Sequence, residues 1–436
     1  MQFYSTNNKQ SFVPFREAVF NSLPKDKGLY MPESIPQLDK DFLNNIDQFS
    51  FSEIAFKVAE NIIGQDIPAV DLKRIVEETV NFDAPVIELK DGSYVLELFH
   101  GPSLAFKDFG ARFMSRVMAY FSEKSNEVLD VLVATSGDTG GAVALGFAGV
   151  PNTRVTILFP KGKVSPVQEL QLCTNGENIK AIEVDGTFDD CQSLVKQAFN
   201  DGELNEKLTL TSANSINISR LIPQTFYYFY AYAQLRKKGI GEVVFSVPSG
   251  NFGNLTAGLL AARMGLPVKK FIAATNANDV VPRFLQGDPY ETRLAIATLS
   301  NAMDVGNPSN WDRIMELFDG DIDRLKQQLV AYSYSDQETT EAVNEVFAKS
   351  GYVLCPHTAI AWRAGQAFKA ENPDRYVVVS LSTAHACKFP DVFKEDVRNA
   401  IEIPESVNEL KNKKQEKVKS STSYDAFKAF LLSYVD

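Results

Sequence analysis

The sequence has little from which to build a metal centre or a disulfide framework. Its three histidines, His100, His357 and His385, lie far apart, and its four cysteines, Cys173, Cys191, Cys355 and Cys387, form no CxxC pair. Ligand types scattered in this way argue against a metal site, and unpaired cysteines fit a reducing compartment. Positive charge is also short: 44 Lys and Arg stand against 55 Asp and Glu, a net charge of −11. Without an excess positive field a general nucleic-acid binder is disfavoured, whereas a small anion is bound by local groups and stays open. The opening residues, MQFYSTNNKQ, lack an apolar core and a cleavage-site pattern, so no secretory leader is read and a cytoplasmic location is expected. The stretch nearest to a membrane span, residues 131–150, is broken by Asp138 and five glycines, and no membrane partner is expected.

What is present is an ordinary globular composition, 44% hydrophobic and 23% charged, over 436 residues, enough for a large core and more than one folding unit. Residues 1–90 read as a separate, mostly helical cap, with a Pro- and Gly-rich loop at 24–37 and helices across 50–82. From about residue 94 short apolar runs alternate with helical stretches. Strands are expected at 129–134, 154–159, 178–184, 243–247, 270–274 and 376–381. Helices are expected at 140–149, after Ser165 with Pro166 at its first position, and at 188–199. This alternation predicts an α/β protein with parallel sheets covered on both faces. The expected division is a cap at 1–90, a smaller α/β unit at 91–230 and a larger one at 231–436. The aromatic run from Phe226 to Tyr232 reads as core packing. Residues 411–423 read as a solvated basic loop, followed by a docking terminal helix.

Lys107, in HGPSLAFKDFG, follows the apolar run Leu-Ala-Phe. A buried ammonium is costly unless paired or deprotonated, and a desolvated lysine amine forms imines with aldehydes. Three turns stand at the carboxyl ends of expected strands, where open parallel sheets bind ligands: TSGDTGG at 135–141, PSGNFGN at 248–254 and STAHACK at 382–388. The turn with Gly250 and Gly253 runs straight into a helix, whose first amides suit a phosphate, although neither GxGxxG nor a P-loop is matched. Thr135, Ser136 and Thr139 suit a carboxylate. Capping of the helix by Ser136 or Asp138 explains the same residues without a ligand. SANSINISR at 212–220 ends in Arg220, whose forked donors suit a second phosphate. An imine-forming lysine, a phosphate cradle, a carboxylate loop and a further phosphate clamp converge on pyridoxal 5′-phosphate and a phosphorylated substrate.

Taken with FYSTNN, GLYMPE, HGPSLAFKD, TSGDTGGAV, NSIN, PSGNFGNLTAG, MDVGNPSNW, PHTA and STAHACKFP, the chain resembles the threonine synthases in their longer bacterial and fungal form. The resemblance implies a fold-type II pyridoxal-phosphate enzyme, similar to the tryptophan synthase β kind, with the cofactor between two α/β domains. It implies that Lys107 holds the cofactor and moves protons. The backbone of Gly250, Asn251, Phe252, Gly253 and Asn254 would bind the cofactor phosphate, and Thr383 the pyridine nitrogen. Thr135, Ser136 and Thr139 would hold the substrate carboxylate, and Asn214, Ser215 and Arg220 the phosphate of O-phospho-L-homoserine. Water would replace phosphate to give L-threonine. Asp138 stands where shorter relatives place an asparagine near the cofactor, and an ionised Asp138 only accepts hydrogen bonds. Cys355 stands before Pro356 where relatives have aspartate, a change that bears on packing. The competing enzyme is a pyridoxal-phosphate lyase, dehydratase or phospho-lyase that releases a keto acid and ammonia. A non-catalytic phosphate- or nucleotide-binding α/β protein is the third reading. Neither monomer nor homodimer is favoured.

Overall fold

Two parallel sheets carry the chain. The structure is a computed structural model and describes residues 1–125 and 127–434. The larger sheet has six strands in the order Leu329–Ser333, Lys270–Thr275, Val243–Pro248, Val377–Ser382, Tyr94–Glu97 and Val86–Glu88. Its neighbours are parallel except for the last pair, which is antiparallel. The smaller sheet has five strands in the order Val418–Ser420, Ile179–Val184, Thr153–Pro160, Leu129–Ala134 and Thr209–Ser212, all parallel. Leu129–Ala134 and Val243–Pro248 are buried at every position. Helices cover both of their faces, so these strands read as unbroken apolar runs.

The expected strands and helices of the α/β region form within one to three residues of their predicted ends. Ser165 caps Pro166–Cys173 through a capping box with Gln168. The aromatic helix Phe226–Lys237 buries Phe226, Tyr227, Tyr228, Phe229 and Tyr232 in the main core. Each such ring contributes about 2–3 kcal/mol of burial.

The structure departs from four expectations. Residues 1–90 contain, besides their helices, a three-stranded antiparallel sheet of Gln2–Ser5, Asn8–Pro14 and Tyr30–Pro32, the last inside the expected loop. Nor is the cap separately cored. One apolar cluster runs from Phe3 and Phe15 through Phe109 to Tyr227, and Phe51 stacks on Tyr230 at 4.3 Å. The polar segment at 411–423 is not loop throughout. Val418–Ser420 pairs with Ile179–Val184 as an edge strand, because backbone pairing needs no apolar side chains there. Beyond it Tyr424–Leu432 docks through Phe427 and Leu431. Sheet membership also cuts across the division at residues 90 and 230. Tyr94–Glu97 lies in the larger sheet and Val418–Ser420 in the smaller.

Candidate active site

Lys107 opens the helix Lys107–Ser125 directly after an isolated bridge between Ala105 and Ala384. That bridge, with the Phe106 amide donating to Thr383 O at 2.9 Å, sets the lysine against the end of Val377–Ser382. A cleft open at its mouth lies there. Among its walls are Lys107, Asp138, Thr139, Ser215, Arg220 and Thr383, together with Gly250, Asn251, Phe252, Gly253 and Asn254. Residues from both sheets thus converge at strand ends, as ligand sites of open parallel sheets do. Thr135, Ser136 and Asn214 stand behind this wall. Thr135 Oγ1 accepts the amides of Gly137 and Gly140 at 2.9 and 2.8 Å. It closes the turn that neither Ser136 nor Asp138 caps. Asn214 Nδ2 donates to Ala134 O at 3.2 Å.

The turn at 250–254 has the form of an anion cradle. Phe252, and not a glycine, takes the left-handed conformation, φ +61°, and Gly253 begins the next helix. Among the described residues no group accepts from the amides of Gly250, Asn251, Phe252, Gly253 or Asn254. A Cβ at Gly250 would stand 2.6 Å from Met303 Cα, so the turn admits only glycine there. Five unanswered amides at a helix start suit a phosphate.

Electrostatics single out Lys107. Its side chain is 16% exposed and has no hydrogen-bond acceptor among the described residues; the face of Phe106 lies 4.6 Å from Nζ. Burial lowers its pKa to about 8, against the opposing pull of Asp138, so a free amine is accessible near neutral pH. Burial alone would raise Asp138, but Lys388, Lys107 and the Gln168 amide outweigh it and hold the carboxyl ionised. These observations fit pyridoxal phosphate: an amine able to react, a phosphate cradle and a cleft between the sheets.

Arg220 is also buried. One guanidinium nitrogen donates to Ala213 O, while Nε lies against Gly110 without a hydrogen-bond partner among the described residues. Burial lowers its pKa to about 10. Among the described residues no carboxylate lies within ion-pair distance of it. A desolvated guanidinium without a counter-charge is a place for an anion.

Three residues given no role by the sequence reading belong to this region. His357 lines the cleft, and its Nε2 accepts the Ala302 amide at 3.3 Å; burial lowers its pKa to about 4, so the ring is neutral. Lys388 is wholly buried beside Asp138. Arg313, fully buried, donates to Tyr30 O, Ser215 O, Ile216 O and Asn310 Oδ1, and Asn310 in turn donates to Asn251 O. It ties the N-terminal sheet to the segment at 212–220 and, through Asn310, to the turn at 250–254. Lys388 sits in a setting like that of Lys107, a lysine among Ala, Cys and Phe, and that was its available signal. Arg313 stands in an ordinary amphipathic stretch and offered none. Cys355 packs in the core with Sγ 3.1 Å from Thr358 Oγ1, a packing role as expected.

Known proteins place this geometry. The chain matches three family models: threonine synthase N terminus over residues 2–80, pyridoxal-phosphate dependent enzyme over 80–383, and threonine synthase, C-terminal, over 358–431. The threonine synthase of Escherichia coli strain K12 is 45% identical over 409 residues, 94% of each chain. A crystal structure of the Escherichia coli threonine synthase superposes with TM-score 0.89 at 41% identity and covers 100% of both chains. That of a PLP-bound threonine synthase from Brucella melitensis gives TM-score 0.92 at 34% identity, covering 100% of this chain and 99% of that one. The fold is therefore that of fold-type II pyridoxal-phosphate enzymes, the cofactor is pyridoxal phosphate, and the activity is the synthesis of threonine. By sequence along nearly its whole length and by its fold, the chain belongs to the threonine synthase family.

Proposed function

We propose that the substrate is O-phospho-L-homoserine and that this chain converts it, with water, to L-threonine and phosphate. The observation that carries the choice is Arg220, a buried guanidinium on the wall that also holds Lys107, with no carboxylate within ion-pair distance among the described residues. An unphosphorylated substrate would leave that charge desolvated and unpaired.

When bound, pyridoxal phosphate supplies an aldehyde for Lys107 and a conjugated ring that takes up charge from the substrate's α-carbon. The chain does the rest. The amides of residues 250–254 would hold the cofactor phosphate, and the Thr383 hydroxyl would serve the ring nitrogen. Arg220 and Ser215 grip the substrate phosphate and align it to leave from the γ-carbon, with Asn214 holding the segment to Ala134 from behind. Thr139, with the turn that Thr135 and Ser136 build, receives the substrate carboxylate. Lys107 Nζ, with a pKa of about 8, takes the α-proton and returns protons along the carbon chain. Asp138 stays ionised and accepts only, so it orients donors and delivers no proton itself.

The test is a product assay. Purified protein with pyridoxal phosphate and O-phosphohomoserine should release threonine and phosphate in equal amounts. Release of 2-oxobutyrate and ammonia without threonine would replace this reading with the phospho-lyase one.

A further inference from the structure

Asp138 has two lysines within reach, and they are not equivalent. Lys388 Nζ lies 2.9 Å from Oδ1. Its side chain is 0% exposed, and it also donates to Ser103 O at 2.7 Å and to Gln171 Oε1 at 2.9 Å. The three donors of that ammonium thus have three acceptors. Gln168 Nε2 adds a second bond to Asp138 Oδ1 at 2.9 Å. Lys107 Nζ, by contrast, stands 4.0 Å from Oδ2, beyond hydrogen-bond range.

A buried carboxylate beside a single lysine draws it into a direct ion pair, and such a pair stabilises the protonated amine. A protonated Lys107 could neither attack an aldehyde nor accept a proton. We propose that Lys388 is a positioning residue for Lys107: it engages the Asp138 carboxylate so that the Lys107 amine stands unpaired and free to lose its proton. The proposal rests on Lys107 being the amine that carries the cofactor.

The charged and titratable groups around Lys107 are Asp138, Lys388, Arg220, Cys355 and His357. After burial, Asp138 acts to raise the Lys107 pKa, and Lys388 and Arg220 act to lower it. Removing Lys388 therefore acts twice in one direction, by releasing Asp138 to Lys107 and by deleting a repulsive charge. Removing the Asp138 charge acts in the other.

The experiment follows covalent uptake of pyridoxal phosphate by the full-length apoprotein, read as absorbance against pH. In Lys388→Met the rising limb of the uptake rate should move up by about one pH unit or more, making uptake about tenfold slower at pH 7. Lys388→Arg should restore much of the limb, and Asp138→Asn should move it down. A Lys388→Met limb that coincides with the parent's, or lies below it, overturns the proposal. If Lys388→Met fails to fold, Asp138→Asn decides, and an unmoved or raised limb overturns the proposal. Lys107→Ala serves as the separate control: covalent uptake by that variant would refute the assignment of Lys107 itself.

Discussion

Asn251 Nδ2 donates to Ser215 Oγ at 2.5 Å, joining the glycine turn at 250–254 to the segment that carries Arg220. Asn251 Oδ1 accepts the Ser309 amide, so the asparagine cannot turn away without breaking a second bond. Ser215→Ala should cost about 1 kcal/mol of alignment, roughly a fivefold rise in KM for O-phosphohomoserine with the cofactor retained. Steady-state kinetics beside a cofactor titration checks this.

Lys107→Ala should abolish threonine formation and leave the fold intact, because the helix it begins is held by Phe109, Phe113 and Val117 in the core. Circular dichroism and a product assay give the two readings. Retained turnover would contradict the role given to the amine.

Arg220→Ala should weaken phosphorylated substrate by 2 kcal/mol or more, about thirtyfold, the scale of a lost charge-assisted bond. The visible absorbance of the bound cofactor should persist. Its loss would mean that Arg220 serves the cofactor phosphate instead.

Arg313→Leu should destabilise the chain by about 2–4 kcal/mol, since four acceptors lose their donor inside the protein. Urea unfolding measures the loss. The same variant should loosen the N-terminal sheet at Tyr30, seen as faster amide exchange there.

Two buried histidines should contribute an acid-sensitive part of the stability above the carboxylate range. Burial holds the pKa of His357 at about 4, below the ordinary 6.5, and that of His385 likewise at about 4. Between those limits each binds more protons in the unfolded chain, so its contribution to stability is lost as pH drops from 6.5 to 4, whereas Asp108 and Asp304, raised by burial to about 6, act in the opposite sense. Each fully expressed histidine shift is worth on the order of 3 kcal/mol. His357→Gln should therefore be stabilised relative to the parent at pH 5 compared with pH 7.5, read from urea midpoints. Asp138 adds a later loss below about pH 4, where its carboxyl is protonated in the unfolded chain but stays ionised in the fold.

Much of this site was readable from residue order because its chemistry is local. Lys107 after an apolar run, Gly250 and Gly253 before a helix and Arg220 after a polar cluster each carry their reason in neighbouring residues. The central strands were equally plain, since a strand buried on both faces is apolar throughout. What escaped depends on distant partners. Val418–Ser420 is polar and becomes a strand only because Ile179–Val184 offers it an edge. Arg313 owes its burial to carbonyls almost 100 and 283 residues away. The hydroxyl of Thr135 was read as a ligand group, yet the turn itself consumes it.

The order of strands in the larger sheet sets a rule for biosynthesis. Tyr94–Glu97 has Val377–Ser382 as its parallel neighbour, and Thr383 follows on the cleft wall. A nascent chain therefore carries Lys107 out of the ribosome long before the strand beside it exists. Cofactor capture belongs to the nearly finished polypeptide, and any product of premature termination before residue 383 should be unable to take it up.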